Sequence, residues 1–378
     1  MGALGIGIIG CGNISAAYLK LLPRFAGLEV RAVADINADA ARGRGQEFGI
    51  PALSTDDLLT SDGIDIVVNL TVPEAHYRVS RQILDAGKHV YTEKPLTMTL
   101  EEGLALQRLA TERNLRIGSA PDTFLGGVHQ QARACIDGGL IGEVVAGTAH
   151  FMNRGMENWH PNPDFFFLPG GGPILDMGPY YITNLIQLIG PIKRVVALAT
   201  ATFPTRTIGT DGSRKGEVIP VKTPTNIHAL LEFTSGATIT LSASWDICAH
   251  RHSSMELYGT EGTLFVPDPN FFGGSLDHAG RNGRTATVEN WAHPFGMPNE
   301  PHSKLGTLAN YRSAGIADMA LAITEKRPHR CSLEMALHAV DAVSSILRSA
   351  HENAWIELST DCRRPEPLNA EAAQAFLA

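Results

Sequence analysis

The sequence predicts an α/β fold in which a doubly wound parallel sheet is followed by a second α/β domain. Three observations predict it. Short apolar runs alternate with amphipathic helical stretches through about residue 94. A Gly10-x-Gly12-x-x-Ser15 turn stands between the first run and the first helix. An aspartate, Asp35, closes the second run.

The elements follow in order. Ile6 to Ile9 is a compact strand, and a helix runs from the glycine turn to about Leu22. Glu29 to Ala34 is the second strand, followed by a helix over 38–48, a short strand in Ile50-Pro51-Ala52-Leu53 and a helix over 55–60. Asp65 to Leu70 is a strand, Tyr77 to Ala86 a helix, and His89 to Lys94 the next strand. Strands separated by helices imply a parallel sheet covered on both faces. After residue 123 the segments VVAGTAHF, VVALATATF, IHALLEFT, ATITLSAS and SMELYGT read as strands joined by turns. Residues 334–352 have the length and period of a helix with one apolar face.

A chain of 378 residues divides naturally into two domains, 1–122 and 123–378. The formal charge of −8 comes without a basic block, which argues against a nucleic-acid partner. No apolar stretch reaches the roughly 20 residues that cross a bilayer, and the start lacks the basic region of a signal peptide. Five widely spaced cysteines with no Cys-x-x-Cys pair suggest neither a disulfide framework nor a zinc site, and point to the cytoplasm. No His-Glu-x-x-His or paired-cysteine spacing occurs, so no metal is expected.

The glycine turn has the context of a dinucleotide fingerprint. Gly10 and Gly12 allow a tight turn and close backbone approach, and Asn13 and Ile14 open the helix that receives a pyrophosphate. Asp35 is placed to accept hydrogen bonds from ribose hydroxyls and to repel a 2′-phosphate. NAD is therefore expected over NADP, although Arg42 and Arg44 pull the other way. Thr71 and Pro73 shape the loop after the next strand, and His76 is expected close to the cofactor. The tripeptide Glu93-Lys94-Pro95 ends the following strand. A lysine there is either a solvated loop charge or the floor of an active site.

The glycine turn, Asp35, TVPEAH, YTEKPLTMT and GGGPILDMGPYYITNLIQLIG occur in one order that resembles the Gfo/Idh/MocA oxidoreductases. The resemblance runs over nearly the whole chain. It implies an N-terminal Rossmann domain and a C-terminal α/β domain with a large, mostly antiparallel, open-faced sheet, whose open face joins homodimers or homotetramers. It also implies that Lys94 lies beside the nicotinamide and reaches the substrate hydroxyl, with Glu93 near the ribose. The family's Asp-x-Gly-x-His-x-x-Asp pattern reads here as Asp176, Gly178, Tyr180 and Thr183. The usual histidine is a tyrosine and the second carboxylate is missing. Either Tyr180 acts on the hydroxyl proton with Lys94 beside it, or Tyr180 holds the substrate and Asp176 handles the proton.

Further substrate contacts are expected from Arg154 and His160, in the Pro- and Gly-punctuated loop 152–172, and from Asp122. Residues 273–304 read as long loops that close the site, with His293 and His302 on the surface. The expected activity is NAD-dependent hydride transfer to or from a secondary hydroxyl of a sugar, cyclitol or glycoside. Two alternatives stay open: glycoside hydrolysis by transient oxidation with NAD retained, and a non-catalytic NAD-binding regulator.

Overall fold

The protein is described from a computed structural model at residues 2–302 and 305–378. Ser303 and Lys304, within the expected loop stretch 273–304, lie outside the described residues.

The first sheet is built from β1 (Leu4–Ile9), β2 (Leu28–Ala34), β3 (Ile66–Asn69), β4 (His89–Thr92) and β5 (Ile117–Ser119). All pairs are parallel, in the order β2-β1-β3-β4-β5. The strands are apolar on both sides because both faces are covered. Ile6 and Ile8 pack with Tyr18 and Leu22, while Ile9, Val67 and Val90 pack with Leu58, Ile83 and Leu106 on the opposite face. The connecting helices are α1 (Asn13–Leu21), α2 (Ala38–Phe48), α3 (Thr55–Thr60), α4 (His76–Asp85) and α5 (Leu100–Glu112). Local signals set their ends. Asn37 caps α2 by accepting from Asp39 N, and Thr99 with Glu102 forms a capping box on α5. The strand expected in residues 50–53 is reduced to a single parallel bridge, Val33 to Ala52. Pro51, which has no N–H, cannot extend a ladder there.

The second part begins with α6 (Gly127–Asp137), β6 (Val144–Met152), α7 (Asp164–Phe167) and α8 (Pro173–Ile189). It continues through β7 (Ile192–Thr200), the hairpin β8 (Thr205–Thr207) and β9 (Val218–Pro220), then β10 (Asn226–Phe233) and β11 (Thr238–Ser244). Next come β12 (Met255–Gly259), β13 (Gly262–Val266), β14 (Asp277–Gly280) and β15 (Thr285–Thr287). The hairpin β16 (Glu300–His302) and β17 (Gly306–Leu308) precedes α9 (Ala314–Glu325), α10 (Leu333–Glu352), β18 (Ile356–Glu357) and α11 (Ala370–Gln374).

Nine of these strands form one sheet, β15-β14-β13-β12-β6-β11-β10-β7-β18, antiparallel except for the β6–β11 pair. Residues 273–304 are thus not all loop, since β14 and β15 extend the sheet edge. α8 packs on β6, β10 and β11, and α10 packs on β7. The other face is open: Leu198 on β7 is 69% exposed and Leu230 on β10 is 40% exposed. α10 also contacts α5 and β5, so this long helix ties both sheets together rather than belonging to the second alone. Among the described residues no helix is long and apolar enough to cross a membrane.

Candidate active site

The glycine turn has the shape its sequence implies. Gly10 has φ +105°, and a Cβ there would stand 2.5 Å from the Leu70 carbonyl carbon, so only glycine fits. Gly12 caps α1, and a Cβ added to it meets nothing within 4 Å. That open approach to a helix N-terminus is what a pyrophosphate requires. Asn13 is exposed and Ile14 half-buried at the helix start. Ser15, in place of a third glycine, is buried and turns its hydroxyl back to donate to the Gly12 carbonyl at 2.6 Å. Asp35 braces the turn: Oδ2 accepts from Cys11 N at 2.7 Å and Oδ1 from Asn37 N at 2.8 Å. Arg44 also reaches the turn, donating to the Gly12 carbonyl at 3.1 Å. These residues fit a dinucleotide.

β4 delivers Glu93 and Lys94 to the carboxyl end of the first sheet. Lys94 Nζ donates to Asp176 Oδ1 and to the Asp176 main-chain carbonyl, both at 2.8 Å. It lies 5.3 Å from the centroid of the Tyr180 ring. Burial works against the ammonium, but the Asp176 carboxylate and the Tyr180 oxygen outweigh it and hold Lys94 above its ordinary pKa. Lys94 is therefore a fixed cation at neutral pH, suited to stabilise negative charge rather than to take a proton. The loop-charge reading of Lys94 fails, because its side chain is mostly buried and paired.

Asp176 lies in the first turn of α8, whose N-cap Gly172 makes no side-chain cap hydrogen bond. The carboxylate is spent on Lys94 instead of on capping. Its Oδ2 accepts no hydrogen bond among the described residues. Tyr180, one turn on, shares that side of the helix and is buried. Tyr181 points into the core and donates to the His150 carbonyl at 3.2 Å.

Arg312 is the residue that sequence reasoning missed. It precedes α9 and pairs with Glu93 Oε1 at 3.3 Å, where the Tyr18 hydroxyl also donates at 2.8 Å. Burial opposes its charge, but Tyr180 and Glu93 raise its pKa above the ordinary value. Its only sequence signal is a lone cation between Tyr311 and the apolar run of α9. Glu93 is consequently buried in a network. Its Oε1 serves Tyr18 and Arg312, and its Oε2 accepts from Lys94 N at 3.0 Å.

Several expected contacts lie elsewhere. His76 is fully buried, with its ring nitrogens 2.6 Å from the Pro95 carbonyl and 3.0 Å from the Thr71 carbonyl. It clamps the Thr71 loop to the turn at Pro95. Asp122 is 2% exposed, and its Oδ2 accepts from Ser313 N and Gly315 N at 2.9 and 3.1 Å. It holds the Arg312 segment at the start of α9. Thr71 donates to Asn69 Oδ1 at 2.7 Å, while exposed Pro73 lines the same cavity as Lys94 and Asp176. Arg154 is exposed and His160 half-buried, and neither lines that cavity. His160 instead packs edge-on against Phe165 and Phe166, which do line it. His293, expected on the surface, is buried. It accepts from Phe295 N at 3.2 Å and bonds the Leu368 carbonyl at 3.0 Å, tying in the C-terminal segment.

The loop 152–172 is held by a buried ion cluster. Arg206 pairs with Glu157 at 3.1 Å and with Asp246, and stacks between Phe167 and Phe203. Among the described residues no group of three or more His, Cys, Asp and Glu side chains could hold a metal ion.

A dinucleotide cradle on one sheet and a lysine–carboxylate pair joining it to the second define a nicotinamide-dependent oxidoreductase. The chain belongs to the Gfo/Idh/MocA oxidoreductase family. Residues 4–120 match the model described as the oxidoreductase family, NAD-binding Rossmann fold, and residues 129–265 match a GFO/IDH/MocA C-terminal domain. The chain is 25% identical to levoglucosan dehydrogenase of Pseudarthrobacter phenanthrenivorans, over 94% of its own length and 98% of that protein. An uncharacterized oxidoreductase of Schizosaccharomyces pombe is 37% identical, over 38% of each chain. Among solved structures, levoglucosan dehydrogenase in complex with NADH and L-sorbose superposes with TM-score 0.78 at 23% identity, covering 95% of this chain and 100% of that one. An NAD binding oxidoreductase from Klebsiella pneumoniae superposes with TM-score 0.80, also at 23% identity, with the same coverage.

Proposed function

We propose that the protein is an NAD-dependent dehydrogenase acting on a secondary hydroxyl of a sugar, cyclitol or glycoside. The observation that carries this reading is the Lys94–Asp176 pair at the edge of the cofactor domain. NAD, when bound, accepts or returns the hydride. Lys94, held as an ammonium, hydrogen-bonds the substrate oxygen and stabilises alkoxide character. Asp176 takes the hydroxyl proton on Oδ2, the oxygen that Lys94 leaves open. The Tyr180 hydroxyl orients the substrate, and Arg312 supplies a second cation beside it. Asp35 favours NAD over NADP, since a 2′-phosphate would meet its carboxylate.

Relatives named for sugar chemistry support the substrate class. They include levoglucosan dehydrogenase and, at 28% identity over 64% of this chain, a D-xylose 1-dehydrogenase (NADP(+)) of Haloferax volcanii. We assign residues 1–122 to cofactor binding and 123–378 to substrate binding and association. The exposed Leu198 and Leu230 support the open sheet face as the surface for a homodimer or homotetramer. Five free cysteines fit a cytoplasmic setting.

The test is a panel of inositols, aldoses and glycosides with NAD and NADP, following reduced cofactor and substrate loss separately. Reduced cofactor formed in step with one substrate class supports the dehydrogenase. Glycoside loss without reduced cofactor assigns redox-assisted hydrolysis instead, and cofactor binding without turnover of any substrate assigns a regulator.

A further inference from the structure

The Lys94–Asp176 pair lies on a boundary between two environments. On one side are Tyr180, Arg312 and Glu93, all able to hydrogen-bond, with Arg312 and Glu93 paired. On the other, the same two residues form one end of a cavity between α8, α10 and the turn after β4. Its volume is about 190 Å³, below the roughly 300–1,000 Å³ of clefts that take a whole small molecule, and so the size for one substituent of a ligand. Its wall is apolar, with Leu96, Met98, Phe166, Pro179, Met335 and Val340 facing the space. Among the described lining residues Lys94 and Asp176 are the only charged ones, and none is Asn, Gln, Arg or His.

The hydroxyls on the wall are largely committed. Thr97 donates to the Thr99 carbonyl at 2.8 Å, Thr183 to the Pro179 carbonyl at 2.6 Å and Ser119 to the Ala120 carbonyl at 3.0 Å. Ser332 caps α10 by accepting from Met335 N. A bare polyol placed in this space would lose water without regaining its hydrogen bonds, and each unsatisfied group would weaken its binding. An apolar group would instead gain by leaving water.

We propose that the substrate is a glycoside, or a similarly substituted cyclitol, that carries an apolar aglycone. Its reacting hydroxyl meets Lys94 and Asp176, its ring stays on the Tyr180–Arg312 side, and its aglycone fills the cavity. This rests on the dehydrogenase reading of the Lys94–Asp176 site only for what happens to the hydroxyl. The apolar subsite itself is read from the cavity wall.

The test measures equilibrium binding of methyl, phenyl and octyl hexopyranosides to the NAD-loaded protein, with NADH formation recorded in parallel. The expected result is phenyl or octyl binding at least about tenfold tighter than methyl. That preference should collapse in Ala339→Phe, which fills the cavity, while methyl glycoside binding stays the same. Ala336→Leu, a milder filling of the same wall, should reduce the preference partway, and unchanged melting temperatures exclude misfolding. Equal affinity across the three aglycones, no binding of any of them, or a preference that survives both fillings overturns the proposal. Tight, cavity-dependent binding without NADH would uphold the apolar subsite and remove the dehydrogenase reading.

Discussion

Asp176 holds Lys94 twice, through its carboxylate and through its own main-chain carbonyl, each 2.8 Å from Nζ. The two contacts fix both the position and the charge of the ammonium across the junction of the two sheets. Removing the carboxylate leaves only the carbonyl, which positions the nitrogen but does little to keep it protonated.

Asp176→Asn should therefore lower kcat by about 10²–10⁴, the usual worth of a positioned acid–base group. It should also shift the alkaline limb of the rate profile. Wild-type Lys94 has its pKa raised, so its charge persists as pH rises; without the carboxylate the ammonium deprotonates earlier and the alkaline fall moves to lower pH. A kcat–pH series on both proteins measures this.

Tyr180→Phe keeps the ring beside Lys94 and removes only the hydroxyl. An orienting hydroxyl predicts a raised KM and a kcat loss of about tenfold, smaller than that of Asp176→Asn. Steady-state kinetics on both variants decides which residue handles the proton.

Asp35→Ser should weaken NAD binding about 10- to 100-fold and affect NADP less, because ribose hydrogen bonds are lost together with the charge that repels a 2′-phosphate. Fluorescence titration with each oxidised cofactor reads the ratio. Arg44, already at the turn, then faces the phosphate without a competing carboxylate.

Buried His129 predicts an acid-sensitive fold. Desolvation pushes its pKa down to about 4, and as a neutral ring it meets the Phe271 carbonyl at 2.9 Å and the Asn184 amide at 3.2 Å. The unfolded chain binds that proton at the ordinary value near 6.5, so the stabilisation is complete above about 6.5 and is lost as pH falls toward 4. Asp122 has the opposite sign: burial raises it to about 6, so the folded state holds its proton more tightly and gains stability as pH falls from about 6 toward 4. Melting temperature should fall as pH drops from about 6.5 toward 4, because buried His150, also pushed down to about 4, adds to the His129 loss, and it should fall more steeply in Asp122→Asn, which removes the opposing contribution.

Arg206→Met should destabilise by about 3–5 kcal/mol, since it strands the buried carboxylates of Glu157 and Asp246. Denaturant unfolding at neutral pH checks the magnitude.

What the sequence revealed was local. The glycine turn, the helices over 38–48 and 334–352, and the Glu93-Lys94-Pro95 strand end are all set by residues close in the chain. Arg312, and the bracing of its segment by Asp122, were missed because the partners are remote: Arg312 meets Glu93 219 residues away, and Asp122 meets Ser313 191 residues away. His293 looked like a surface residue because the chain that buries it, around Leu368, arrives from the far end of the sequence. Proline at position 51 explained the lost strand only once β2 was seen to pair beside it. Charge pairing across the two sheets, which sets the state of Lys94, has no period to read.

The most direct test is single-turnover reduction of NAD by the substrate the panel identifies, in wild type and Lys94→Ala, with cofactor affinity measured separately. The account predicts that NAD binds within a few-fold of wild type while the hydride-transfer rate falls by about 10²–10³, the scale of losing one charge stabiliser at the reacting oxygen. An unchanged transfer rate, or a loss explained entirely by weaker NAD binding, would contradict it.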